Sequence, residues 1–120
     1  MVLVDTNIWI NHFRKTEPGL VALLNSGSVV CHPFIIGELA AGNLKNRAEI
    51  LSLFQAMPSA PMIEPEEYLE FVEVRNLMGK GLSFVDIHLL ASAVLSGVPF
   101  WTGDKRLSKA ANELGVPYKR

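Results

Sequence analysis

The sequence is poor in several residue types, and each shortage narrows what the chain can be. A single cysteine, Cys31, leaves no partner for an internal disulfide, excludes a cysteine-based zinc site and is typical of a reducing cytoplasm. No apolar run approaches the ~20 residues that a membrane-spanning helix needs. The first residues lack both the basic start and the length of a secretory signal peptide. We therefore expect a cytoplasmic protein without a membrane segment.

An excess of charge of one sign is also missing. The net charge is −1, so no global field draws the chain to nucleic acid, although local basic groups can still bind phosphates. Hydrophobic residues make up 49% of the 120 residues and charged residues 19%. This composition predicts one well-packed domain over residues 1–120 rather than disorder.

Histidine and tryptophan are scarce. The three histidines, His12, His32 and His88, form no HxxxH or HxH pair, which argues against a histidine-based metal site. Trp9 and Trp101 could stack on RNA bases. Core packing is the favoured interpretation of both.

The shortage of aspartate is the most informative. Only three aspartates occur, Asp5, Asp86 and Asp104, each where an apolar segment meets a turn or a helix start. Glu38 also lies inside an apolar run, whereas the other glutamates lie in polar or charged stretches. Burying a carboxylate is costly unless something compensates its charge. Four acids among apolar neighbours therefore predict a shared divalent cation.

Short apolar runs alternate with helical patterns along the chain. Strands are predicted at residues 2–4, 29–31, 61–63, 99–101 and 116–118, and helices near 7–14, 18–26, 34–42, 45–57, 65–79, 84–96 and 105–114. Alternation of this kind predicts an α/β fold with a parallel sheet and helices on both faces. Ligands bind such sheets at the carboxyl ends of the strands, where the strand order reverses. Asp5 and Asp104 would face one crevice if the first and fourth strands are neighbours.

Each aspartate also has a structural explanation as a helix cap. Ser83-x-x-Asp86 fits a capping box, and Asp5 and Asp104 could each cap the helix that follows. Glu38 is predicted four residues into an apolar helix, where it caps nothing. For the set as a whole we favour a metal site.

The acids and their neighbours resemble the motifs of the PIN-domain nucleases. The motifs are Asp5-Thr-Asn7, Gly37-Glu38-Leu39, Asp86 at a helix start, and Thr102-Gly-Asp104, in the family's order over nearly the whole chain. Among PIN proteins, the compact single-domain form is similar to the VapC toxins of bacterial and archaeal toxin–antitoxin pairs.

This resemblance implies a PIN-like three-layer α/β/α sandwich with a central, mostly parallel five-stranded sheet. It also implies Mg²⁺- or Mn²⁺-dependent RNA cleavage, a homodimer and a VapB-type antitoxin that occludes the site. The implied catalytic metal ligands are Asp5, Glu38, Asp86 and Asp104, with Thr6, Asn7 and Thr102 as supporting polar groups.

Basic residues beside the fourth acid are candidate contacts to RNA phosphates. They are Lys105, Arg106 and Lys109. Taken singly, each fits a solvated helix face at least as well.

Three other functions can be weighed against the nuclease. A phosphoacceptor domain would need an aspartate at the end of the third strand, where Glu64 stands, and a DxD phosphatase would need one at Asn7. The more serious alternative is a non-catalytic PIN-like module that binds RNA or protein. Metal-dependent cleavage by purified protein separates it from a nuclease.

Overall fold

The computed structural model describes residues 1–119. Its strands are β1 (Val2–Val4), β2 (Val29–Val30) and β3 (Phe100–Trp101). Its helices are α1 (Thr6–Arg14), α2 (Pro18–Asn25), α3 (Pro33–Ala41), α4 (Arg47–Ala56), α5 (Pro65–Val74), α6 (Phe84–Ser96) and α7 (Lys105–Glu113). None of these helices is long and apolar enough to cross a bilayer.

The strands form one parallel sheet in the order β2-β1-β3. Val2 of the central β1 pairs with Val29 on one side, and Val4 pairs with Trp101 on the other. All of β1 is buried, as expected of an apolar strand covered on both faces. The first strand and the strand near residue 100 are thus neighbours, which is the condition for Asp5 to share a crevice with the residues after β3.

The predicted five-stranded sheet was wrong in its strand count, because three strands are present in the described residues. Single-residue parallel bridges extend both sheet edges near the strands predicted at 61–63 and 116–118: Cys31 to Ser59, and Phe100 to Pro117. Prolines explain these short ladders, because proline has no N–H to donate.

All seven predicted helices are present, but α5 is shorter than the predicted 65–79. It ends at Val74, and the amide of Leu77 then bonds back to the carbonyl of Val72 at 3.0 Å. Asn76 has a left-handed φ of 56°, a conformation that asparagine tolerates better than most residues. This turn stops the helix before Gly79.

The two crossover connections, from β1 to β2 and from β2 to β3, run in opposite directions across the sheet. The chain passes from β1 to β2 on one side and then crosses back to β3 on the other. Because crossovers between parallel strands are right-handed, this path places helices on both faces, consistent with the predicted three-layer arrangement. It also places the reversal of strand order between β1 and β3.

Candidate active site

Asp5 directly follows β1 and is the N-cap of α1. Its side chain is only 6% exposed. Oδ1 accepts a hydrogen bond from the Thr6 amide at 2.8 Å, and Oδ2 accepts from Thr102 Oγ1 at 2.7 Å and Asn7 Nδ2 at 3.2 Å. Donors that follow both β1 and β3 therefore hold this carboxylate where the strand order reverses.

Asn7 and Thr102 tie the ends of β1 and β3 together. Asn7 Nδ2 donates to Thr102 Oγ1 at 3.3 Å, and Asn7 Oδ1 accepts from the Gly103 amide at 2.9 Å. Gly103 was not among the predicted site residues, and only its place between Thr102 and Asp104 hinted at it. A Cβ at Gly103 would lie 3.4 Å from Asn7 Oδ1, so this close approach suits glycine.

Glu38 of α3 is exposed, although it lies in an apolar stretch of sequence. The apolar residues around it face inward, as buried Ile35 and Leu39 show. Its Oε1 accepts a hydrogen bond from Thr6 Oγ1 at 2.8 Å. Because the Thr6 amide bonds to Asp5, one residue connects the two carboxylates.

Asp86 and Asp104 are helix caps, as the structural explanation predicted. Ser83 and Asp86 form a capping box, with the Ser83 amide bonded to Asp86 Oδ2 and the Asp86 amide bonded to Ser83 Oγ, both at 3.0 Å. Asp104 Oδ1 accepts from the Leu107 amide at 3.0 Å. Within the described residues, each cap uses one carboxylate oxygen and leaves the other for a further ligand.

The electrostatics of Asp5 connect three of the acids. Burial is the largest cause of a raised pKa at Asp5, and hydrogen bonds from Thr102 and Thr6 oppose that rise. The negative charges of Asp86 and Glu38 raise the pKa further. The carboxylates after β1, on α3 and on α6 therefore share one field.

The donor set suits a hydrated hard cation better than a preformed cage. Carboxylate oxygens are the ligands that Mg²⁺ and Mn²⁺ prefer. Among residues 1–119, however, no three histidine, cysteine, aspartate or glutamate side chains come close enough together to hold a metal ion as a group. Mg²⁺ keeps several waters and takes only one or two carboxylates, so buried Asp5 with more exposed acids around it remains a suitable set.

Trp9, Trp101 and His12 contribute to packing and to a turn of the fold. Trp9 and Trp101 are buried in the core, so the favoured core interpretation is confirmed. His12 Nδ1 accepts a hydrogen bond from the Glu17 amide at 3.0 Å, which closes the turn after α1.

The predicted phosphate contacts lie exposed in the first half of α7: Lys105, Arg106 and Lys109. The fold adds Lys80, which lines a groove with Arg106 and Lys109. Lys80 also pairs with Glu113 at 3.5 Å. Sequence reasoning missed Lys80 because a tertiary contact brings it to α7.

Comparison with known proteins places this arrangement in a family, since the family model of the PIN domain matches residues 2–113. This chain belongs to the PIN-domain family. This PIN domain is 44% identical over 117 residues to Ribonuclease VapC32 of Mycobacterium tuberculosis, an alignment that covers 97% of this chain and 94% of that protein. It is 24% identical over 119 residues to Ribonuclease VapC1 of Methanocaldococcus jannaschii, covering 96% and 84% of the two chains. The PIN domain is thus of the VapC type.

Proposed function

We propose that this PIN domain is a metal-dependent endoribonuclease that hydrolyses RNA phosphodiester bonds as the toxin of a type II toxin–antitoxin pair. The observation that carries the proposal is buried Asp5 at the strand-order reversal, whose pKa is raised by burial and by the charges of Asp86 and Glu38. The ribonuclease named among its relatives, at 44% identity, supports RNA as the substrate. We further propose a single domain over residues 1–120 that acts in the cytoplasm.

Four acids are proposed to hold Mg²⁺ or Mn²⁺: Asp5, Glu38, Asp86 and Asp104. When bound, such an ion supplies Lewis-acid stabilisation of the phosphate and favours deprotonation of the attacking water. Thr102, Asn7 and Thr6 orient the Asp5 carboxylate through hydrogen bonds of 2.7, 3.2 and 2.8 Å. These bonds fix the carboxylate before substrate arrives, which lowers the cost of reorganisation during the reaction.

Hydrolysis adds one water across a P–O bond of the RNA. The water oxygen bonds to phosphorus, one ester P–O bond breaks, and the leaving oxygen takes up a proton. This reaction needs no covalent nucleophile from the protein. The phosphates that flank the cut are proposed to contact Lys105, Arg106 and Lys109.

RNA cleavage by the purified protein tests this proposal. A structured RNA should be cut in Mg²⁺ or Mn²⁺ and left intact in excess EDTA. A single-stranded DNA of matched sequence reports whether the activity is specific for RNA. Cleavage that persists in EDTA and after metal removal would contradict the metal-dependent mechanism.

A non-catalytic PIN-like module that binds RNA or protein is the second candidate. The observation that favours it is the exposure of Glu38 and Asp104, together with the absence of a close three-ligand metal group in residues 1–119. This candidate predicts RNA binding that is unchanged by Mn²⁺, with no cleavage at any metal concentration.

We also propose a homodimer and a VapB-type antitoxin that places a basic side chain among the acids. A cationic group can replace a metal ion in a site of several carboxylates. Added antitoxin should therefore abolish cleavage and weaken Mn²⁺ binding. Inhibition with unchanged Mn²⁺ affinity would show that the antitoxin acts from another surface.

A further inference from the structure

Four aromatic rings from three helices meet where α3 and α6 begin: Phe34, Tyr68, Phe84 and His88. The His88 ring centroid lies 4.5 Å from that of Phe84, 4.8 Å from that of Tyr68 and 4.9 Å from that of Phe34. The rings of Tyr68 and Phe84 are themselves 4.9 Å apart. Rings in such contact fix one another's orientation. We call this cluster the aromatic face.

The aromatic face borders Glu38, the acid of α3. Phe34 lies four residues before Glu38 on α3, so their side chains lie on the same side of the helix with Cβ atoms roughly 5–6 Å apart. Phe84 and Asp86 are the first and third residues of α6, so their side chains point to different sides of that helix. The Phe84 ring instead joins the α3 side through Phe34, with 6.3 Å between the two ring centroids. Because Glu38 accepts a hydrogen bond from Thr6, whose amide donates to Asp5, the face lies next to the proposed site of cleavage.

One side of the aromatic face is open. Phe84 is 58% exposed, and Phe34 and Tyr68 are partly exposed. His88 is only 4% exposed, yet its Nδ1 has no hydrogen-bond partner among the described residues. An exposed apolar ring and a buried unpaired nitrogen both cost free energy. Contact with a further ring would cover the exposed part.

We propose that the aromatic face stacks an unpaired RNA base next to the cleaved phosphate, with Phe84 as the main contact. Every base has a π face, and proteins that bind single strands place aromatic rings beside the path of the phosphates. Continuity with Glu38, and through Thr6 with Asp5, favours RNA over a protein partner as the occupant. This inference rests on the proposed ribonuclease function and adds a substrate contact to it.

A single-stranded hexaribonucleotide with 2-aminopurine at one position tests the stacking, because stacking quenches the fluorescence of this base. Binding is followed in EDTA, and in Mn²⁺ by rapid mixing before cleavage. Phe84→Leu keeps an apolar side chain and removes the ring, so it should abolish quenching and weaken binding roughly 5- to 100-fold. Phe84→Tyr should retain both. Leu95→Ala, at a residue 61% exposed near the other end of α6, is the matched control and should behave as wild type.

The outcomes separate this inference from the proposed function. If wild type cleaves RNA but shows no quenching in either buffer, or if Phe84→Leu quenches as wild type does, base stacking is overturned and the ribonuclease stands. If wild type does not cleave RNA yet shows quenching that requires the Phe84 ring, stacking stands and the ribonuclease proposal fails. If Phe84→Leu turns a dimer into a monomer and leaves quenching unchanged, the face contacts a second copy of the chain, which also overturns stacking.

Discussion

At the scale of single residues, the surroundings of Asp5 allow its charge to be separated from its capping role. Three donors meet its carboxylate, from the Thr6 amide, the Thr102 hydroxyl and the Asn7 side chain. Asparagine caps a helix about as well as aspartate. It carries no charge, however, and one end of its amide would point a donor at another donor.

Asp5→Asn should therefore lower RNA cleavage by several orders of magnitude without weakening the metal-free fold. Removing the charge relieves burial and repulsion, and this gain offsets the roughly 1 kcal/mol of a lost hydrogen bond. Cleavage assays in Mn²⁺ and thermal melts with EDTA or Mn²⁺ measure both effects. The stabilisation by Mn²⁺ should shrink in the variant. A variant that cleaves at nearly the wild-type rate would show that Asp5 is a cap and not a catalytic ligand.

His32 is a buried neutral histidine that links α3 to α6. Its Nδ1 accepts from the Phe34 amide at 3.0 Å, so its Nε2 carries the proton and donates to Ser92 Oγ at 3.0 Å. Ser92 Oγ donates onward to the carbonyl of Pro61 at 2.6 Å. Burial, with a smaller contribution from the charge of His88, lowers the pKa of His32 to about 4.

This lowered pKa predicts a loss of stability in acid. Between the ordinary pKa of 6.5 and about 4, the unfolded chain binds a proton at His32 that the folded chain does not. The free energy of unfolding should therefore fall as pH drops through this window, by up to about 3 kcal/mol. His32→Asn keeps a capping oxygen and should remove this part of the pH dependence. Denaturant unfolding of both proteins from pH 7 to pH 4 measures it, and equal slopes would contradict the prediction.

At the scale of elements, the start of α7 allows capping and chemistry to be distinguished at Asp104. Asp104→Asn should keep the bond to the Leu107 amide, which is 3.0 Å in the native protein, and so keep wild-type stability while RNA cleavage falls. Asp104→Ala should lose the cap as well, at a cost of about 1 kcal/mol in unfolding free energy. Chemical denaturation and cleavage assays of the pair provide the measurement. Normal cleavage by Asp104→Asn would leave Asp104 with a structural role alone.

The helices could be predicted from the sequence because their signals are local. Pro18 begins α2 and Gly27 follows its end, as these residue types predict. The Ser83-x-x-Asp86 box likewise marks the start of α6. The strands at the sheet edges were less predictable. A short apolar run near Pro61 looks like a strand, but the ladder there depends on which backbone groups meet β2 and on the missing N–H of proline.

At the scale of the whole molecule, the sequence singled out four acids as candidates but did not show how they are held. The fold brings the Gly103 amide to 2.9 Å from Asn7 Oδ1 and Thr6 Oγ1 to 2.8 Å from Glu38 Oε1. No local sequence pattern predicts these long-range hydrogen bonds. The apolar sequence neighbours of Glu38 also gave a wrong expectation of its exposure, because those neighbours face inward while the Glu38 side chain faces water. The aromatic face likewise combines residues from three helices.

Mn²⁺ binding is the most direct test of the acids as one metal site. Titration of the metal-free wild type, followed by calorimetry or by the electron paramagnetic resonance of free Mn²⁺, should show saturable binding. Asp5→Asn, Glu38→Gln and Asp86→Asn should each weaken that binding by at least about tenfold. Glu73→Gln, at an exposed position of α5, is the control and should bind as wild type does. Wild-type affinity in all three site variants, or no saturable binding by the wild type, would contradict a metal site built from these carboxylates.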